Sequence, residues 1–365
     1  MSVQIKAMVA THHLPEESMP WMAEARRVFG GLVLFIDQNR VTAGTESRAK
    51  VVASRVQSFK VDTWYDSDWG AMARECGSDW VFVIDYDEQL SPEWQQDGWR
   101  QILQTTELTH LWCPRRWVVP GGRYITSAPL WPDMQLRVLR NDVAGTEFPS
   151  KLHDLIHVPG RGGLLQHLGL YHHTLSLWSR AEREEKVRRY ESQRSGGGLR
   201  RYYLYEDFRY RMASLPDAIA WEPEHEVLQM DPLAPDEIAR ISLAVSGVPA
   251  SVDAADIFWI DATVMNGTNR ALVALPPYAV RLSYHWLKAS TRQVAVFEGD
   301  RTELFPCVYA GDRREYSMRV EAPAAPGTYV LQATMVQESV GWFEDVSSEI
   351  LREFAVVVRN TARES

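Results

Sequence analysis

Short apolar segments alternate with charged, helix-like segments along the chain before residue 230. Residues 4–10 and 31–36 have the composition of strands, and residues 20–29 between them place apolar side chains at helical spacing. Residues 80–84 form a further apolar strand. Strands that alternate with helices in this way favour a mostly parallel sheet with helices on both faces. The sequence therefore predicts an α/β domain.

The pattern changes to a period of two residues after a linker at residues 232–235, which contains two prolines and is flanked by acids. Turn-forming residues separate the strands predicted beyond it, which are residues 241–245, 257–264, 280–286, 293–297, 315–320, 328–336 and 352–358. Short strands at this spacing are typical of an antiparallel β-sandwich of the immunoglobulin type, here without the Cys–Trp–Cys spacing of antibody domains. At about 150 residues per domain, the length also indicates two domains, which we place at residues 1–230 and 231–365.

The charge, the cysteines and the lengths of the apolar runs argue against several classes of protein. The chain has 39 Lys and Arg against 48 Asp and Glu, and its formal charge of −9 argues against a nucleic-acid partner, whose phosphates need a basic face. Cys76, Cys113 and Cys307 form no C-x-x-C pair, which argues against a disulfide framework and a thiolate zinc site. No signal-peptide pattern opens the chain and no apolar run approaches the roughly 20 residues of a membrane span. We expect a cytoplasmic protein.

An apolar strand runs directly into three acids, Asp85, Asp87 and Glu88, followed by a proline-started helix. Asp85 and Asp87 alternate, so they project to the same side of the strand's carboxyl end, where open α/β sheets bind ligands. Neighbouring carboxylates raise each other's pKa, and a hard cation such as Mg²⁺ or Mn²⁺, completed by substrate phosphate oxygens, relieves this repulsion. The alternative is that the acids cap the following helix, with Glu88 near its positive end.

The segment from Trp80 to Pro92 resembles the hallmark of the family 2 glycosyltransferases, inverting enzymes that use nucleotide sugars and have the GT-A fold. Further similar segments are residues 34–37 (L-F-I-D), 131–140 (W-P-D-M-Q-L-R-V-L-R), 148–154 (F-P-S-K-L-H-D), 171–173 (Y-H-H) and 186–190 (K-V-R-R-Y). The resemblance covers most of residues 3–210 and implies a Rossmann-like GT-A nucleotide-sugar-binding domain. The second domain resembles the immunoglobulin-like accessory domains of some bacterial glycan-modifying enzymes.

The resemblance implies roles for single residues around the donor. Asp37 is similar to the acid that contacts uracil, and Asp87 is similar to the ligand of Mn²⁺ or Mg²⁺. Asp85 would contact the donor's ribose or sugar and share the metal. Gln135 and Arg137 lie in the segment that is similar to a donor-binding strand, and a guanidinium group binds oxyanions through paired N–H groups.

Later histidines and one acid complete the expected site. His172 or His173 would supply a third metal ligand or a diphosphate contact, and the sequence leaves open which of the two faces the site. Asp154 is the candidate general base, with His153 beside it to orient it or to contact phosphate. The alternative is that Asp154 is a loop acid paired with Lys151 or His153.

The main hypothesis is a metal-dependent inverting glycosyltransferase that moves a sugar from a UDP-linked donor to a glycan, peptide or small natural product. A second hypothesis is a non-catalytic glycan- or nucleotide-sugar-binding protein with a retired transferase domain. It is motivated by Gln38 and Asn39, which replace the family's Ser/Thr-Asp pair, and by Asp154, which replaces its glutamate. A third, a nucleotidyltransferase on the same fold, lacks the glycine-rich phosphate loop near the N-terminus.

The second domain contains no carboxylate pair or ligand cluster in its sequence. We expect a module for acceptor docking, carbohydrate binding or homodimer formation, or else a structural appendage. Trp286, Trp342 and Phe343 are candidates for an exposed aromatic patch. A content of 14 Trp and 14 Tyr is in keeping with sugar binding.

Overall fold

The computed structural model describes residues 3–60, 69–143, 146, 157–193, 198–217 and 227–360. The chain forms two compact units. The first comprises Met1–Ile125 and Asp133–Glu226, and the second comprises Thr126–Pro132 and Val227–Ser365. From the sequence we predicted a single boundary after residue 230. The assignment of Thr126–Pro132 to the second unit was not predicted, because the segment carries no change in apolar pattern that would mark it.

The first unit is a mixed α/β structure. Its described strands are β1 (Ile5–Thr11), β2 (Leu32–Asp37), β3 (Arg55–Phe59), β4 (Trp80–Val83), β5 (Glu88–Leu90), β6 (His110–Val119), β7 (Arg123–Ile125), β8 (Asp133–Arg140), β9 (Gly162–Leu164), β10 (Leu170–His172) and β11 (Met212–Ser214). Its described helices are α1 (Met19–Val28), α2 (Thr45–Val52), α3 (Trp69–Glu75), α4 (Trp99–Thr105), α5 (Thr174–Leu177), α6 (Arg180–Gln193) and α7 (Arg200–Tyr203).

The main sheet of this unit has the order β11-β7-β6-β8-β4-β1-β2-β3. Strands β3, β2, β1 and β4 are parallel, and β8 runs antiparallel to both β4 and β6. Every residue of β2 and β4 is buried, as expected for parallel strands covered on both faces. The carboxyl ends of β1, β2, β3 and β4 therefore meet at one edge of the sheet.

Strand β10 joins two distant parts of this unit. It pairs in parallel with β6 and antiparallel with β5, so that His172 lies opposite Glu88. The residues after Glu88 thus form a short strand, and the predicted proline-started helix is only a four-residue 3₁₀ turn, Pro92–Gln95. The expectation that the acids cap a helix is wrong for Glu88, because it begins a strand. The pairing brings the segment after β10 against the acidic segment after β4.

Four aromatic rings form the core between α1 and the sheet. Phe29 stacks on Phe82 with ring centroids 4.4 Å apart, and both rings meet the edge of Trp94. Trp99 packs against Trp94 and Phe29. All four side chains are essentially inaccessible to solvent. Part of the high tryptophan content therefore serves core packing.

The second unit consists mainly of strands. Its described elements are β12 (Val227–Leu228), α8 (Pro235–Ile238), β13 (Ile241–Ser246), β14 (Ser251–Asp253), β15 (Ile257–Asn266), β16 (Val280–Lys288), β17 (Val294–Val296), β18 (Thr302–Glu303), β19 (Arg313–Glu321), β20 (Gly327–Gln337), β21 (Gly341–Trp342) and β22 (Arg352–Arg359). One sheet has the order β13-β15-β19 and the other β14-β22-β20-β16-β17, with β18 on β16 and β21 on β20. Whether this is an immunoglobulin-type sandwich stays a prediction.

Aromatic side chains connect the two sheets of the second unit. Trp286 donates a hydrogen bond to the carbonyl of Glu321 at 3.0 Å, and its ring contacts Phe258. The expected exposed patch is wrong for Trp286 and Phe343, which are completely buried in this core. Trp342 is half-buried beside Phe297, whose side chain is 52% exposed.

Within the part of the chain that the structure describes, the helices are too short or too polar to cross a membrane.

Removal of one core ring tests the packing of the first unit. Phe82→Ala leaves a cavity under Phe29 and Trp94, and we expect it to lower the free energy of unfolding by about 3–5 kcal/mol. Amide hydrogen exchange of β1 and β2 measures this loss within the first unit alone. Val51→Ala is the matched control, because Val51 is 69% exposed and its truncation should change stability by less than about 0.5 kcal/mol. Equal effects of the two substitutions would contradict this account of the core.

Candidate functional site

A cleft of about 480 Å³ lies at the carboxyl edge of the parallel strands. It is bounded by Thr11 at the end of β1, Asp37 at the end of β2, Phe59 at the end of β3 and the segment after β4. The predicted site residues that line it are Asp37, Asp85, Asp87, Gln135, Arg137 and His172. His153 and Asp154, the expected base and its neighbour, lie outside the described residues.

Asp37 is the acid of this cleft nearest the start of the chain, and it is buried with 3% exposure. Its carboxylate accepts a hydrogen bond from the backbone N–H of Asn39 at 3.0 Å, and Arg40 lies 3.6 Å away. Gln38 is turned towards Glu46 and Ser58 instead. The backbone N–H of Asn39 therefore holds Asp37 in place, and Arg40 brings a cation to it.

A ladder of alternating charges lies under the cleft. Glu88 has no solvent exposure, and its carboxylate forms an ion pair with Arg115 at 3.0 Å and another with Arg137. Arg137 reaches Asp85 at 2.9 Å, and Arg115 reaches Asp133 at 2.7 Å. Charge-assisted hydrogen bonds of this kind are strong, and removal of one member leaves an uncompensated buried charge. The ladder fixes the guanidinium groups that face the cleft.

The surrounding charges stabilise the ionised forms of Arg115, Arg137 and Asp133. Burial alone would lower the pKa of Arg115 and Arg137, but the acids around them outweigh this and raise both values. Burial would raise the pKa of Asp133, but Arg115 and the hydrogen bonds from Trp117 and Gln135 lower it. The side-chain amide of Gln135, which we expect to contact the sugar donor, donates a hydrogen bond to Asp133 at 2.6 Å.

Asp87 has surroundings quite different from those of Asp85. It is 6% exposed, accepts a hydrogen bond from Thr174 and lies 3.3 Å from His172 Nε2. Burial would raise the pKa of Asp87, but the charge and hydrogen bond of His172, the charge of Lys186 and the Thr174 hydroxyl together hold it well below its usual range. Asp87 is therefore ionised over the whole physiological pH range.

The two candidate histidines point to different places. His172 is buried and lines the cleft, and its Nδ1 has no hydrogen-bond partner among the described residues. His173 stacks on Trp21 with ring centroids 4.2 Å apart and contacts Gln89 at 3.1 Å. Because β10 ends between them, only His172 is placed on the described wall of the cleft, and His173 belongs to the packing against α1.

The acidic pair fits one kind of metal site and not another. Among the residues that the structure describes, no group of three His, Cys, Asp or Glu side chains is placed to hold a metal ion. The carboxylates of Asp85 and Asp87 nevertheless offer hard oxygen donors to the cleft, which His172 also lines. Mg²⁺ is commonly held by one or two carboxylates together with substrate phosphates. The donor set therefore fits an ion shared with a phosphate ligand and does not fit a closed structural site.

The structure also adds residues that the sequence did not indicate. Arg115 lies opposite Asp133 across β6 and β8, and this pairing can be recognised only once the register of the strands is known. Thr174 reaches Asp87 because β10 pairs with β5. Lys186 lines the cleft from α6. Its one sequence signal is its place at the head of the K-x-x-R-Y segment.

The segments 131–140 and 186–190 contain three further arginines, Arg140, Arg188 and Arg189, and the fold places them differently. Arg189 lines the cleft. Arg188 is 65% exposed and pairs with Glu185, and Arg140 pairs with Asp142 at 2.9 Å. Neither Arg188 nor Arg140 is among the residues that line the cleft.

Comparison with known proteins adds little to this picture. No family model matches the chain, and no curated protein matches it. Among solved structures, a β-glucosidase from Listeria innocua is 13% identical over 33% of this chain and 16% of its own length, with a TM-score of 0.23. The CARDB domain of a Pyrococcus furiosus protein is 12% identical over 33% of this chain and 94% of its own, with a TM-score of 0.22. An alkylpurine DNA glycosylase from Pseudomonas fluorescens has a TM-score of 0.21 at 11% identity, over 32% of this chain and 30% of its own. Likenesses this weak carry no argument about fold or activity.

Glu88→Gln tests the charge ladder. The substitution removes the carboxylate between two buried guanidinium groups, so we expect a loss of about 3–5 kcal/mol in the free energy of unfolding. Glu185→Gln is the matched control, because Glu185 forms an exposed pair with Arg188 that contributes about 0–1 kcal/mol. Urea denaturation combined with hydrogen exchange of β6 and β8 measures both variants. A Glu88→Gln chain as stable as the control would show that the ladder does not hold the site.

His173 predicts a pH dependence of stability. Burial and the charge of His172 lower the pKa of His173 from 6.5 to about 4. The unfolded chain binds this proton more readily, so the contribution of His173 to stability is complete above pH 6.5 and is lost as the pH falls towards 4. We expect the Tm of His173→Gln to fall less than that of the wild type across this window. Parallel Tm profiles would contradict the assignment of His173 as a buried neutral group.

Proposed function

We propose that the first unit is a metal-dependent inverting glycosyltransferase that uses a nucleotide-sugar donor, UDP-linked in our expectation, and a glycan, peptide or small-molecule acceptor. One observation carries the proposal. Asp37, Asp85, Asp87, Arg137 and His172, which are scattered along the sequence, line a single cleft at the carboxyl edge of the parallel strands.

The position of the cleft in the sheet supports a nucleotide ligand. The chain runs outward from β1 through β2 to β3 and then returns to the other side of β1 with β4. In open α/β sheets, ligands bind outside the carboxyl ends of the strands where the order reverses in this way. Thr11 and the acids after β4 lie on either side of that point.

The residues divide into a nucleoside end and a phosphate end. At the first end, Asp37 presents a fixed acceptor to a base N–H, with Phe59 and His12 beside it in the cleft wall. At the other, Asp85 and Asp87 are the residues that would hold Mn²⁺ or Mg²⁺. Such an ion supplies positive charge beside the diphosphate that leaves.

Arg137 adds a guanidinium group that the ladder keeps in place. It contacts Asp85 in the free chain and has a buried Nε without a hydrogen-bond partner in the described chain. Charge that develops on a leaving phosphate is stabilised best by donors that are already oriented. The general base of this proposal is Asp154, with His153 beside it.

Nucleotide-sugar binding and turnover test the proposal. With Mn²⁺ present, we expect a UDP-sugar at 100 times its Kd to stabilise the wild type by about 2.7 kcal/mol, measured as a thermal shift. Asp85→Asn and Asp87→Asn should abolish the metal-dependent part of the shift and reduce UDP release by at least about 100-fold. Two variants are used because Asp87 is buried and its substitution can impair folding, whereas the Asp85 side chain is 40% exposed.

Asp142→Asn is the matched control, because Asp142 is 67% exposed and does not line the cleft. Turnover that survives both Asp85→Asn and Asp87→Asn would refute the metal assignment. Binding of UDP-sugars without any UDP release, with every acceptor class supplied, would favour the retired, non-catalytic alternative. Release of pyrophosphate from a sugar phosphate and UTP would favour nucleotidyl transfer instead.

A further inference from the structure

Lys186 is surrounded by aromatic rings on the wall of the cleft. It lies on α6, and its Nζ is 4.5 Å from the ring centroid of Trp178, 4.5 Å from that of Tyr203 and 5.7 Å from that of Tyr190. All three distances fall within the range of a cation–π interaction. We refer to Trp178, Tyr190 and Tyr203 as the aromatic cage. The cage holds an ammonium group at a defined place.

The ammonium group of Lys186 has no hydrogen bond or ion pair with any of the described residues. Three other cations of α6 are paired with carboxylates. Arg180 pairs with Glu184 and Asp207, Arg183 with Glu206, and Arg188 with Glu185. A ring face attracts a cation but takes none of its hydrogen-bond donors in the strong way that a carboxylate does. Lys186 is thus positioned while its N–H donors stay available to an anion.

One member of the aromatic cage, Tyr203, is held in place by its surroundings. Tyr203 is buried with 7% exposure, meets the edge of Trp117 at 5.7 Å, and its carbonyl accepts a hydrogen bond from Arg183 at 2.6 Å. Lys186 shares the cleft wall with Asp85 and Asp87. Trp117, which contacts Tyr203 of the cage, also contacts His172 with ring centroids 4.3 Å apart, and His172 Nε2 lies 3.3 Å from Asp87. The caged ammonium therefore lies at the acidic end of the cleft, where a phosphate ligand would meet the metal-binding acids.

We propose that Lys186 is an anion-binding residue whose caged ammonium group donates hydrogen bonds to the phosphate oxygens of a diphosphate ligand. The assignment of that diphosphate to a sugar donor rests on the proposed function, whereas the binding of a diphosphate does not. In the transfer, the bond between the anomeric carbon and the diphosphate oxygen breaks and its electron pair stays on that oxygen. The acceptor oxygen bonds to the anomeric carbon and gives its proton to the general base, and Lys186 stabilises the charge left on the diphosphate.

Inorganic pyrophosphate without divalent metal is the probe for this role. In the presence of EDTA, isothermal titration calorimetry should show binding to the full chain, and Lys186→Met should weaken it by about tenfold or more. Lys186→Arg should retain part of the affinity, since it keeps the charge but fits the cage less well. Arg188→Met is the matched control: it removes a cation from the same helix, yet Arg188 is exposed and paired with Glu185.

Substitution of a cage residue separates the effect of positioning Lys186 from the effect of its charge. Trp178→Leu keeps Lys186 but removes one of its nearest rings, and we expect weaker pyrophosphate binding with a steeper salt dependence, because a mobile ammonium group is more strongly solvated. Thermal unfolding is measured for each variant, so that a loss of pyrophosphate binding caused only by impaired folding can be recognised. Lys186→Arg that is folded and binds like the wild type supports the role of the charge.

The outcomes distinguish this inference from the proposed function. Pyrophosphate binding that depends on Lys186, with no turnover of any UDP-sugar, supports the inference and contradicts the glycosyltransferase. Sugar transfer with unchanged pyrophosphate affinity in Lys186→Met overturns the inference and leaves the glycosyltransferase standing. Absence of pyrophosphate binding by the wild type at millimolar concentration also overturns the inference.

Discussion

The carboxylate of Glu88 is the contact on which the rest of the cleft depends. It is fully buried and binds Arg115 on β6 and Arg137 on β8, and its second oxygen accepts the backbone N–H of Asp85 at 3.1 Å. One side chain therefore joins three segments that lie far apart in the sequence. Because Arg137 is buried with it and the Arg115 side chain is only 13% exposed, none of the three can move without leaving an unbalanced charge in the interior.

This ladder gives the two acids of the D-x-D motif different environments. Asp85 is partly exposed and faces Arg137, whereas Asp87 is buried against Thr174 and His172. From sequence alone, neighbouring carboxylates require a cation to relieve their repulsion. In the fold, cationic side chains of the chain itself already do so. A metal would therefore join a site that is electrostatically balanced in advance, and it would take its remaining ligands from a substrate phosphate.

The apolar pattern located the central strands well and the irregular segments poorly. The predictions 4–10, 31–36 and 80–84 lie within one residue of β1, β2 and β4, because a strand buried on both faces has a continuous apolar sequence. Strand β5, just three residues long, exists only through its pairing with β10 and has no pattern of its own. The choice between His172 and His173 depended on that pairing too, so the sequence could not make it. The GT-A and immunoglobulin-type assignments stay predictions.

Helix α6 shows most clearly why the spacing of apolar residues does not reveal every residue that lines the cleft. Its alternating charges predict a solvated face, yet Arg183 and Val187 are buried and Lys186 faces the cleft. Lys186 and Val187 follow Arg183 by three and four positions, so each lies near the side of the helix that Arg183 occupies. This face carries cations because their partners Glu206, Trp178 and Tyr203 come from segments outside the helix. A cation with such partners looks in sequence like an exposed one, so only the tertiary structure distinguishes the caged Lys186 from the solvated Arg188.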